Sequence, residues 1–169
     1  MIQRMIRAAS LDSHLYEEVE HDKSAITQAM LIVVLVSIAK GIAALATTGT
    51  LIGIATGIIG GLVSWAIWAF VTYIVGSKLL KTPETHSSWG ELARVTGFAQ
   101  TPGLLLVFAL LPFLGTYIIV IVGLWQLAAM VVGIRQALDY TSTIRAIVVV
   151  LIGFIISAAL LLLLVGLAS

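Results

Sequence analysis

The sequence predicts an all-α, polytopic integral membrane bundle, with five transmembrane helices behind one or two amphipathic N-terminal helices, and three observations carry that expectation. The chain of 169 residues is 60% hydrophobic and 10% charged, with a mean hydropathy of +1.14, where soluble domains run at roughly 45–50% and about 25%. Five apolar stretches reach or approach the ~20 residues that cross a bilayer. Nearly all charges gather on one side of those stretches. Cysteine is absent, which excludes disulfides, thiol nucleophiles and cysteine-bound metals.

The first segment, about residues 1–24, is polar and amphipathic. Met1, Ile2, Met5, Ile6 and Ala9 recur at helical spacing with Arg4 and Arg7 opposite. Leu11, Leu15, Tyr16 and Val19 continue that period past a cap at Asp12 or Ser13. The expectation is a pair of helices lying along the cytoplasmic surface, the first basic enough to favour anionic lipid, or packed on the protein's own loops. No apolar run follows Arg4 and Arg7, so no cleavable signal is read and the mature chain is expected to begin near Met1.

The spans are expected at about 25–46, 57–76, 92–111, 112–134 and 144–166, together a five-span domain over 25–169. The third is the weakest, because its start, RVTGFAQTPG, is polar. Pro102 should kink or restart it near Gln100 and Thr101. Gly97 should let a neighbouring helix approach, and Arg94 should mark the bilayer boundary, its long side chain reaching phosphate head groups. Pro112 fits the first turn of span four, leaving almost no loop and a tight antiparallel hairpin. With five spans, Arg4, Arg7, Lys23, Lys78, Lys81, Arg94, Arg135 and Arg145 fall on one side, which the positive-inside rule makes cytoplasmic; the C-terminus then lies on the far side.

Candidate sites are few. Gly49, Gly53, Gly57 and Gly61 recur every four residues, with Gly153 and Ser157 as a shorter row in span five. Small residues in such rows let helix backbones meet in lipid, within the chain or with a partner. Lys40 is the clearly intramembrane charge; it lies about 22 Å along span one at 1.5 Å per residue, so its stem can snorkel to the far surface. Gln100 and Gln126 read as interhelical hydrogen-bonding residues. Trp65 and Trp68 sit deep on one face of span two and suit core packing or a lipid or pigment contact. His14, His21 and His86 have no metal-ligand spacing, and no nucleophile or phosphate-loop motif occurs, so neither catalysis nor a metal is expected. The nearest approach to an acid–base set is His86, Glu91 and Arg94 at the cytoplasmic rim.

The order of motifs is also informative. LDSHLYEEV precedes span one; Trp65, Trp68, Thr72, Tyr73, Gly76 and Lys78 close span two; Trp89, Glu91 and Arg94 follow in the loop. Gly97, Phe98 and Pro102 open span three, Pro112 and Gly115 open span four, Trp125 lies in its middle, and Arg145 and Ala146 open span five. Over residues 11–165 this resembles the bacterial branch of the Yip family, five-span membrane proteins whose eukaryotic members are named for interacting with Ypt/Rab GTPases. The resemblance implies a cytoplasmic N-terminus and membrane organisation through protein and lipid contacts, with no known reaction; separately, no cofactor is expected. Eukaryotic members carry a long cytosolic region with a Leu-Tyr-Gly-Pro type motif, where this chain has Leu15-Tyr16-Glu17-Glu18. The expectation is therefore a scaffold or accessory subunit of a larger, bioenergetic complex in a bacterial plasma membrane, as a homo- or hetero-oligomer with membrane lipids and other membrane proteins as partners and no nucleic acid. A small transporter or channel, and a Rab-like GTPase-binding traffic protein, are the competing readings.

Overall fold

The computed structural model describes residues 1–48, 52–111 and 113–168. All regular structure among them is helical: α1 Ile2–Ala9, α2 Ser13–His21, α3 Ala25–Thr48, α4 Ile52–Ile74, α5 Trp89–Ala99, α6 Gly115–Ala137 and α7 Thr143–Ala168. A π-helical turn, Val75–Leu79, extends α4, and a 3₁₀ segment, Thr101–Leu110, extends α5. Five segments are long and apolar enough to cross a membrane: Ala25–Ala44, Gly57–Leu79, Trp89–Leu110, Gly115–Ala137 and Thr143–Leu160. The protein is a multi-pass membrane helix bundle.

The span with the lowest hydropathy sits in the centre. Over the most apolar 18-residue stretch of Trp89–Leu110, 61% of the residues are buried, against 28–39% in the others. It packs against α3, α4, α6 and both N-terminal helices, so protein rather than lipid surrounds it. A polar start is tolerated there because neighbouring helices can satisfy groups that hydrocarbon could not. The outer faces of α6 and α7 instead present apolar side chains such as Ile121, Leu124, Leu151, Phe154 and Ile155.

Span three is not one helix. Pro102 has no N–H to donate to the Phe98 carbonyl, and the Thr101 hydroxyl fills that vacancy at 2.6 Å. The Gln100 carbonyl accepts from the Gly103 N–H at 2.8 Å and from Gln126 Nε2 at 3.1 Å. The break expected at Gln100–Thr101 is present. Beyond it the chain winds into ten residues of 3₁₀ helix, long for a form that rarely exceeds 3–4 residues. Close packing requires two glycines here. A Cβ on Gly97 would stand 2.6 Å from the Ala29 Cβ, and one on Gly103 would stand 2.7 Å from Val36 Cγ1.

Span four begins later than the sequence suggests. Its first helical residue is Gly115, and Pro112, the expected helix start, lies outside the described residues. Phe113 adopts φ 67°, a left-handed conformation that interrupts the helical repeat before Leu114. The hairpin is still tight: a Cβ on Gly115 would collide with the Ala109 carbonyl oxygen.

The N-terminal helices pack on the protein. Asp12 caps α2, accepting the His14 N–H at 3.0 Å. Leu15, Tyr16 and Val19 are fully buried, with Tyr16 against Gly133 of α6. The basic side of α1 faces α2: Arg4 bonds Glu18 at 2.9 Å and Asp22 at 2.8 Å, while Arg7 bonds Asp12 at 2.7 Å and Glu18 at 2.8 Å. These guanidiniums are answered by carboxylates of the chain itself, and the residues α1 leaves exposed are Ile2, Gln3 and Ile6.

Candidate functional site

Polar chemistry concentrates around α2, the start of α5, residues 80–88 and residues 138–142, which we call the N-terminal face. Arg94 is its anchor. The residue is only 7% exposed, and its Nε donates to the Val19 carbonyl at 2.9 Å while Nη2 donates to the Glu20 carbonyl. The expectation that Arg94 reaches toward lipid phosphate is corrected: its cation neutralises the negative C-terminal end of α2. That end would otherwise bury unpaired carbonyls against α5.

Two further donors tie segments together. Trp125 Nε1, in the middle of α6, donates to the Ala9 carbonyl at 2.7 Å and so caps α1. The Tyr140 hydroxyl shares its proton between the Gly76 carbonyl at 2.8 Å and the Leu80 carbonyl at 2.9 Å, fixing the π-helical turn. Burial raises the pKa of that phenol, with Arg145 acting in the opposite direction. Thr85 Oγ1 donates to the Leu138 carbonyl at 3.0 Å, so residues 80–88 and 138–142 form one surface. Tyr140 and Thr85 carry no motif in the sequence; each acts on carbonyls more than fifty residues away, which no local spacing announces.

Glu20 is the carboxylate most perturbed by its surroundings. It is buried, and desolvation first, then the nearby charges of Asp139 and Glu91, push its pKa up to about 7. Its neighbours move the other way. Glu18 and Asp12 are held below the ordinary range chiefly by Arg7, and Asp22 falls to about 2, first through Ser24 and then Arg4.

His86, Glu91 and Arg94 are not brought together as an acid–base set. The Glu91 carboxylate accepts the Ser88 N–H at 2.7 Å in a capping box that starts α5. Arg94 is committed to α2. His86 lines an open cleft of about 370 Å³ with Ser77, Lys78, Lys81, Thr85 and Glu91. Among the described residues no group of three or more His, Cys, Asp or Glu is placed to hold a metal ion.

The small-residue rows divide. Gly61 meets Ser37 of α3, and Gly153 meets Thr72 of α4, where an added Cβ would lie 2.9 Å from Thr72 Cγ2; both are contacts within the chain. Ser157, one turn on from Gly153, is buried with its hydroxyl unpaired. Among the described residues nothing lies within 4 Å of a Cβ built on Gly57, on Gly60, outside the predicted row, or on Gly123 of α6. Gly49 lies outside the described residues, and Gly53 is described only as part of α4.

The remaining motif residues are mostly structural. Trp65 is buried and donates to the Ala93 carbonyl at 3.1 Å. Trp68 packs edge-on to Phe154 at 6.3 Å, its indole N–H buried without a hydrogen-bond partner. Phe98 is fully buried. Tyr73 carries the Lys78 ammonium over its ring at 5.7 Å. Trp89 is the first residue of α5 and is exposed, as is Arg145. Lys40 is exposed on the half of α3 away from the N-terminal face.

A family model described as the Yip1 domain matches residues 14–165. No curated protein and no solved structure matches.

Proposed function

The chain belongs to the Yip1 domain family, and from that premise we propose that it is a non-enzymatic scaffold of a bacterial plasma membrane that binds other integral membrane proteins, most specifically as an accessory subunit of a larger, bioenergetic complex. The observation that carries this reading is the outer side of α4. Gly57 and Gly60 leave its backbone open beside exposed Ile59 and Val63, whereas Gly61 on the same helix is consumed by α3. In lipid, where apolar surfaces gain nothing by meeting, open backbone of this kind lets a second helix approach closely enough for packing to hold it.

The N-terminal face is cytoplasmic in this reading, in keeping with the positive-inside rule for Lys23, Lys78, Lys81, Arg135 and Arg145. Its interlocked carbonyl contacts make it a rigid platform, and no cofactor takes part. Purification of the native-level protein in mild detergent tests the proposal. A stable heteromeric assembly that is lost in Gly57→Leu/Gly60→Leu, with the variant still helical, is expected. A homogeneous small oligomer in both proteins removes the subunit reading. Liposome flux that vanishes on Lys40→Leu replaces it with a transporter.

A further inference from the structure

A second, independent feature lies at the rim of the N-terminal face. Leu79, Leu80, Lys81, Ile144, Arg145 and Val148 enclose a groove of about 410 Å³ between the π-helical turn and the start of α7. Its apolar lining is largely open: Leu79 is 68% and Ile144 72% exposed. Its two cations both lie near a span boundary: Lys81 is two positions beyond Leu79, the last residue of one span, and Arg145 is the third residue of another, Thr143–Leu160. Among the described residues neither Lys81 nor Arg145 makes an ion pair or a side-chain hydrogen bond, in contrast to Arg4, Arg7 and Arg94, which are all engaged.

We propose that this groove binds one anionic glycerophospholipid, its phosphate between Lys81 and Arg145 and an acyl chain along Leu79 and Val148. The charge pattern selects the occupant. Two unpaired cations at the membrane–water boundary attract a phosphate, Arg through a planar fork of donors and Lys as a point charge. Leu79 and Val148, on the bilayer side of Lys81 and Arg145, suit a hydrocarbon tail and do nothing for a soluble anion. The groove is also preformed: the Tyr140 hydroxyl on the Gly76 and Leu80 carbonyls holds the π-helical turn beside α7, so little ordering cost remains for the ligand. The site depends only on the chain spanning a membrane and stands whether or not the scaffold reading does.

Native mass spectrometry of the full chain in a neutral detergent, titrated with phosphatidylglycerol or phosphatidylcholine, tests it. The expected result is one phosphatidylglycerol retained well below the concentration at which phosphatidylcholine adds. Lys81→Gln/Arg145→Gln should weaken that binding about tenfold or more, and Lys81→Arg should preserve it. Lys23→Gln, which removes another exposed cation on the same face, should change nothing, and excess inorganic phosphate should not displace the lipid. Equal retention of both lipids, binding unchanged in the paired variant, or displacement by phosphate would each overturn the proposal. Should the paired variant lose its helicity, Val148→Glu decides the same question, since it blocks the acyl path from an exposed position: lost binding supports the groove, and unchanged binding overturns it.

Discussion

A buried arginine must have its charge answered, and Arg94 is answered by backbone. Its guanidinium bonds the last carbonyls of α2, Val19 and Glu20, so one side chain from a membrane-spanning segment holds down an N-terminal helix. Arg94→Leu should cost about 2–4 kcal/mol, the loss of charged hydrogen bonds together with carbonyls left unpaired. Arg94→Lys should recover only part, because an ammonium cannot reproduce the fork. Thermal unfolding in detergent reads both, and an unchanged midpoint in Arg94→Leu would refute the clamp. Glu20, beside the clamp, makes stability depend on pH. Its folded pKa of about 7 lies above the ordinary carboxylate value, so the folded chain holds that proton more tightly than the unfolded one. The contribution is complete below about pH 4.5 and is lost as pH rises through about 7. The carboxylates of Asp12, Glu18 and Asp22 work in the opposite sense, failing only on stronger acidification. Wild type should therefore lose stability between about pH 5 and 8, and Glu20→Gln should flatten that slope; equal slopes in the two proteins would contradict the assignment.

Among the elements, span three has the most unusual backbone. The Pro102 break is tolerated because the freed Phe98 carbonyl has the Thr101 hydroxyl as donor, while Gln126 Nε2 adds a second donor to the Gln100 carbonyl. Thr101→Val and Gln126→Leu should each cost about 1 kcal/mol, with faster hydrogen exchange at residues 98–103. Exchange unchanged in both variants would mean that other groups hold the break. Pro102 announced this bend in the sequence, since a proline inside an apolar run has few other readings. The 3₁₀ winding beyond it was not legible, because TPGLLLVFAL has no local signal for it and packing on α3 and α6 accompanies it. The start of span four was misplaced for a related reason. A proline suits a first helical turn, but Phe113 turns left-handed and moves the start to Gly115.

At the scale of the molecule, the architecture is an inside-out sorting of polarity: the span with the lowest hydropathy is enclosed by the others, and apolar α6 and α7 faces turn outward. The five spans were legible because hydropathy is a property of each segment alone. The use of Arg94, Tyr140 and Trp125 was not, because their acceptors lie 60 or more residues away in sequence. The glycine row was half legible. Its spacing marked close contacts, yet only the packed structure separates Gly61, which is committed to α3, from Gly57, which is open. In the scaffold proposal the outer side of α4, where Gly57 and Gly60 are both open, is the contact surface, and the outer side of α6 serves as the comparison. Photo-crosslinking in the native membrane, with the reactive side chain placed at Gly57 in one protein and at Leu124 in another, tests the central claim most directly. A covalent adduct to a different membrane protein from position 57 and none from position 124 is the predicted result. Lipid adducts alone from both positions would contradict it.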